Sequence, residues 1–168
     1  MLTEFLQDLS LLEAVGLIAM GILTLILFFK FFGRQTLPYY ARDFLLTDGE
    51  MPFYEILVKA VGSKYHICPK VRLADIVHCD EHDWKRGFGP MISSKHIDFV
   101  LMHPKTSEIQ LCIELDDLSH DLPERQARDE FVEDVFLITE VPFLRVRMTK
   151  QYNPSEIKRQ IKDTIRGY

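Results

Sequence analysis

The sequence predicts a mixed α/β domain flanked by helices and preceded by one transmembrane helix. Three observations carry this: an apolar run near the N-terminus, two strands of regular alternation in mid-chain, and helical periodicity on either side of them. The 168 residues are 47% hydrophobic, which excludes a disordered chain. Twenty Lys and Arg stand against 25 Asp and Glu, for a net charge of −5. That balance argues against coating nucleic acid by bulk electrostatics and leaves open a localised basic face. Three cysteines, Cys68, Cys79 and Cys112, make no disulfide framework and fit a reducing compartment.

After a short segment 1–13, the run Ala14–Phe32 contains one charge, Lys30. As a helix it reaches about 28 Å, close to a hydrocarbon core of about 30 Å. A core helix would keep a polar face, and this stretch has none before Lys30, which can snorkel. The leader carries Glu4, Asp8 and Glu13 but no Lys or Arg, unlike a signal peptide. Lys30, Arg34 and Arg42 flank only the C-terminal side, so the positive-inside rule predicts a single-pass inner-membrane protein with its following domain in the cytoplasm. Residues 33–49 read as a polar tether, and 50–168 as the domain.

Within that domain Glu50–Val61 is predicted helical, with Phe53, Ile56, Leu57 and Ala60 on one stripe and Pro52 in the first turn. Lys64–Val77 reads as extended, its halves pairing around Pro69. Cys79–Ser94 reads as a polar loop punctuated by Gly87-Phe88-Gly89-Pro90. His96–Met102 alternates Ile97, Phe99 and Leu101 against Asp98, Val100 and Met102. Ile109–Asp116 alternates Ile109, Leu111, Ile113 and Leu115 against Cys112, Glu114 and Asp116. A long helix, Glu124–Thr139, has Ala127, Phe131, Val135 and Ile138 as its expected inner stripe. Strand Val141–Met148 follows, then helix Asn153–Arg166 with Ile157, Ile161 and Ile165 inward.

Glu114 and Asp116 project from one strand face roughly 7 Å apart. Pairing of the two strands through the Pro104–Glu108 turn brings Asp98 towards Glu114. Carboxylates in apolar strands cost free energy unless paired or bound to a cation. Clustered oxygen donors suit Mg²⁺ or Mn²⁺, which activate water and neutralise charge at a phosphodiester; solvated or arginine-paired acids at strand ends are the ordinary alternative.

At IDFVLM, CIELDDLSH and RDEFVEDVFLITEVPFLRVRM the chain resembles a bacterial family of domains of unknown function. That family is similar to the restriction-endonuclease-like PD-(D/E)xK superfamily, near its very-short-patch-repair branch, and the likeness spans about Glu50 to Arg166. The resemblance implies a restriction-endonuclease-like mixed sheet, Asp98 as first-motif carboxylate, Glu114 as second-motif carboxylate, and a helix glutamate at Glu55 in preference to Glu50. It implies Mg²⁺ or Mn²⁺ at Asp98 and Glu114. The superfamily places Lys two residues after the second carboxylate, where this chain has Asp116. Asp116 then becomes a third ligand or general base, with His120 handling the proton. Lys95 is the candidate for a displaced cation.

Lys95, Arg145 and Arg147 are the expected contacts to a nucleic-acid backbone, within a basic C-terminal region that includes Lys150, Lys158, Arg159, Lys162 and Arg166. The alternative for that region is contact with anionic lipid, or plain solvation. The ligand-type run His78-Cys79-Asp80-Glu81-His82 lacks a partnering Cys pair and reads as a solvated loop. The expected function is membrane-anchored, divalent-metal-dependent phosphodiester hydrolysis of nucleic acid. Its alternative is an inactive module of the same fold that binds nucleic acid or a protein partner at the inner membrane.

Overall fold

The computed structural model describes residues 11–32, 37–116 and 123–168, with side chains for 11–31, 37–116 and 129–168. The chain divides into two compact units, Met1–Asp43 and Phe44–Tyr168. In the first, helix α1 spans Leu11–Phe32 and is long and apolar enough to cross a membrane. Twenty-two residues reach about 33 Å. Its one described hydroxyl within the apolar stretch, that of Thr24, is satisfied internally by donating to the Met20 carbonyl at 2.8 Å.

The second unit is a mixed α/β fold: α2 (Met51–Val61), β1 (His66–Arg72), a 3₁₀ turn (Leu73–Asp75), α3 (Glu81–Lys85), α4 (Phe88–Ser93), β2 (His96–Met102), β3 (Ile109–Asp116), α5 (Pro123–Thr139), β4 (Phe143–Arg147) and α6 (Pro154–Gly167). The sheet runs β1-β2-β3-β4. β1, β2 and β3 pair antiparallel, and β4 lies parallel to β3 after the α5 crossover. Helices cover both faces. On one face α2 and α6 bring Phe53, Leu57, Ile157 and Ile161 against Phe99, Leu101, Leu111, Ile113 and Leu115. On the other, α4 and α5 bring Ile92, Val132 and Phe136 against Val100 and Cys112. The Phe136 and Phe143 rings stack at 4.5 Å across that second layer.

Local chemistry explains the ends of the elements. Thr47 and Glu50 form a reciprocal cap before α2: the Glu50 N–H donates to Thr47 Oγ1 at 3.3 Å and the Thr47 N–H to Glu50 Oε2 at 2.9 Å. Asn153 caps α6, its Oδ1 accepting from the Ser155 N–H at 2.9 Å, with Pro154 in the first turn.

Four expectations are corrected. The two halves of Lys64–Val77 do not pair with each other. They form the strand β1, which pairs with β2, and the 3₁₀ turn Leu73–Asp75 that follows it; Pro69 is tolerated because β1 is a sheet edge. The expected loop Cys79–Ser94 contains α3 and α4, whose packing seats Trp84 over Gly89 and buries Ile92. Among the described side chains of α5 the buried residues are Val132 and Phe136; Phe131 and Val135 flank them, Ile138 is 79% exposed, and the side chain of Ala127 lies outside the described residues. β2 also departs from its expected alternation. Ile97 packs with the α5-side cluster while Phe99 and Leu101 pack on the α2 side, so alternation breaks at Asp98.

The break has a visible cause. Lys70, in the register position opposite Asp98, has φ of +55°, a left-handed conformation that costs a non-glycine residue about 1–2 kcal/mol. Ile67 packs on the α2 side, whereas Cys68 and Val71 both pack on the α5 side, so β1 loses its alternation at the same level as β2. A deformation of this kind re-aims side chains near a site.

Candidate functional site

Lys70 is aimed at two carboxylates. Its Nζ donates to Asp98 Oδ1 at 2.9 Å and to Glu50 Oε1. The Glu50 side chain is only 10% exposed and Asp98 16%, so the pairs lie largely out of water. Asp98 is braced a second time, because its Oδ2 accepts the Leu115 N–H at 2.9 Å. The β2–β3 ladder ends at Phe99–Ile113, and the Asp98 carboxylate takes up the next available β3 donor. Asp98 therefore bridges β1, β2 and β3 where β2 and β3 part.

The charges are mutually fixed. Burial works to raise the Glu50 pKa, but hydrogen bonds from Lys70 and from Thr47 outweigh it and hold the carboxyl below its ordinary value. Burial likewise works to lower Lys70, and its bonds to Glu50 and Asp98 outweigh that and raise it. Lys70 is thus an ammonium donor at neutral pH and not a base.

A second group surrounds Arg145. Its Nη1 donates to Asp116 Oδ1 at 2.7 Å and its Nη2 to the Asp129 carbonyl at 3.1 Å. Its Nε lies 2.7 Å from Glu133 Oε1, an ion pair whose angle falls outside hydrogen-bond geometry. This arrangement ties β3 and β4 to α5. Arg145 is 20% exposed and its fork is engaged by acids, whereas Arg147 is exposed at the end of β4.

Glu114 lies between the two groups in the sheet. It is half-buried, sits opposite Arg145 in the parallel register, and precedes the residue whose N–H braces Asp98. It also lies on the side of Cys112, whose thiol burial and, secondarily, the Glu114 charge push up to about 12. Cys112 is therefore a buried apolar filler and not a nucleophile.

The remaining sequence candidates are dispersed. Glu55 is exposed on α2, and Glu50 is the glutamate that shares the Lys70 ammonium with the strand carboxylate Asp98. Lys95 Nζ donates to the Met91 carbonyl at 3.1 Å and lies 4.7 Å over the Phe131 ring. His120 lies outside the described residues. Among the described residues no group of three or more His, Cys, Asp or Glu side chains is placed to hold a metal ion. Nothing in HICPKVR marks Lys70 out from Arg72 two residues on, because alternation puts both on one face of an edge strand. For Glu50 a signal existed: Thr47-x-x-Glu50 is the pattern of a reciprocal helix cap.

A family model described as a protein of unknown function (DUF2726) matches residues 42–165, nearly the whole second unit. No curated protein matches the chain, and no solved structure does.

Proposed function

We propose that this chain, which belongs to the DUF2726 family, carries a membrane-associated nuclease-like domain that hydrolyses phosphodiesters of nucleic acid with a divalent metal ion. The observation that carries this is the Glu50–Lys70–Asp98 array, braced on the Leu115 N–H beside Glu114. The resemblance to the restriction-endonuclease-like superfamily calls for a helix glutamate, a carboxylate on each of two neighbouring strands, and a lysine. Glu50, Asp98 and Glu114 answer to the first three. Lys70 answers to the fourth from the adjacent strand, while Asp116, at the usual lysine position, is held by Arg145. Three antiparallel strands followed by a parallel fourth, with helices on both faces, support the same fold assignment.

Asp98 and Glu114 are the residues that would hold Mg²⁺ or Mn²⁺, for which hard carboxylate oxygens are suited donors. The ion would supply charge neutralisation at the phosphodiester and an acidified water. Glu50 fixes the Lys70 ammonium, and Lys70 in turn orients Asp98 and offers a hydrogen-bond donor to an anionic substrate. Arg147, exposed on β4, is placed for a backbone phosphate, and Arg145 positions Asp116. An inactive binding module of the same fold is the second reading. It is favoured by both Asp98 oxygens being bonded within the protein.

Cleavage of labelled DNA and RNA by the full chain with Mn²⁺ separates the two. The nuclease reading expects Asp98→Ala and Glu114→Ala each to reduce cleavage at least about a hundredfold while circular dichroism stays native. Cleavage that survives in both variants, or a folded wild-type chain that binds oligonucleotide without cutting it, would reject the reading.

A further inference from the structure

The end of α2 remote from Glu50 carries a second feature of different chemistry. From Glu50 to Ala60 the helix runs about 15 Å. There, against α6, opens a groove of about 280 Å³ floored by apolar side chains that include Ile161 and Ile165. Its rim carries Lys64, Lys158, Lys162 and Arg166, and no acidic residue lines it. All four cations are exposed. Lys158, Lys162 and Arg166 recur at i, i+4 and i+8, one face of α6. The neighbouring Arg159 is different, being paired with Glu156 at 2.7 Å. In a chain of net charge −5, four cations without an acid around an apolar floor form a local anion-binding surface.

We infer that this groove is a docking site for the head groups of anionic phospholipids. Charge complementarity supplies the sign of the ligand, and the apolar floor suits the glycerol and upper acyl region of a lipid better than a bare phosphate. At about 280 Å³ the groove is slightly smaller than the clefts and cavities that hold whole small molecules, about 300–1,000 Å³. Such a groove takes a head group while the rest of the lipid stays in its bilayer. The source of lipid is the membrane that α1 is long and apolar enough to enter. Eleven residues, 33–43, lie between α1 and the second unit, and fully extended they span at most about 40 Å. The inference therefore rests on the membrane reading of α1 but is independent of nuclease chemistry.

The test uses the full chain in lipid nanodiscs of phosphatidylcholine alone or with about one-third phosphatidylglycerol. Acylation rates of Lys64, Lys158 and Lys162 are compared with that of Lys85, which lies on α3 and outside the groove. Docking predicts that phosphatidylglycerol slows the three groove lysines at least about threefold relative to Lys85, and that high salt reverses the effect. A Lys158→Glu/Lys162→Glu/Arg166→Glu variant, changed only at exposed positions, should lose the slowing at Lys64, and Lys158→Arg/Lys162→Arg should keep it. Equal rates in the two discs would overturn the inference. So would slowing by an oligonucleotide in phosphatidylcholine discs with none from phosphatidylglycerol, which would assign the surface to nucleic acid. Failure of the chain to enter discs at all would remove the tether on which the inference rests.

Discussion

Lys70 holds two carboxylates that would otherwise repel each other with little water between them. Replacing it by methionine leaves Glu50 and Asp98 without their shared donor, and the expected loss of stability at neutral pH is about 1–3 kcal/mol. The sign with pH follows from the two shifts. Glu50 is depressed on folding, so its contribution is full above the ordinary carboxyl pKa and is lost as pH falls through the depressed value. Lys70 is raised, so its contribution is full below about 10.4 and is lost as pH rises through the raised value. Denaturant unfolding of wild type and Lys70→Met should therefore differ most near neutrality and converge towards acid, where protonation relieves the repulsion in the variant. A difference that does not shrink in acid would contradict the ion-pair account. Cys112 gives a second prediction at this scale. With its thiol near 12, only about one part in ten thousand is thiolate at pH 8. Iodoacetamide should modify the half-buried Cys68 and Cys79 first and reach Cys112 only on unfolding. Native-state labelling of Cys112 at comparable rate would show the α5-side core to be open.

The elements differ in how far their side chains announced them. β2 and β3 were legible because Phe99, Leu101, Leu111, Ile113 and Leu115 alternate against a helix layer, and α6 because Ile157 and Ile161 recur at helical spacing. α3 and α4 were hidden, since five and six residues are too short for periodicity to register and Gly-Pro reads as a turn. Their order comes from tertiary packing. A Cβ at Gly89 would approach the Trp84 ring to 2.2 Å, so Gly89→Ala should destabilise the domain by about 1–3 kcal/mol through overpacking. Denaturation midpoints, with Trp84 fluorescence as the local probe, test this; an unchanged midpoint would mean that the ring is not held over Gly89. The same limit explains the site. Asp98 was legible as a carboxylate in an apolar strand. Lys70 was not, because one positive-φ residue in β1 re-aims a side chain that strand alternation cannot locate.

For the whole molecule, opposite ends of the α2–α6 layer carry different chemistry. Near the start of α2 and the parting of β2 and β3 lies the Glu50–Lys70–Asp98 array; near the end of α2 lies a cationic groove. A bulk net charge of −5 describes neither, which is why composition was informative about class and silent about sites. Calorimetric titration of Mn²⁺ into the folded full chain and into its Asp98→Ala/Glu114→Ala variant asks whether these two carboxylates hold a metal ion. Saturable binding to the first that is lost in the second is the expected result. Equal heats from both proteins, or none from a folded wild-type chain, would contradict it.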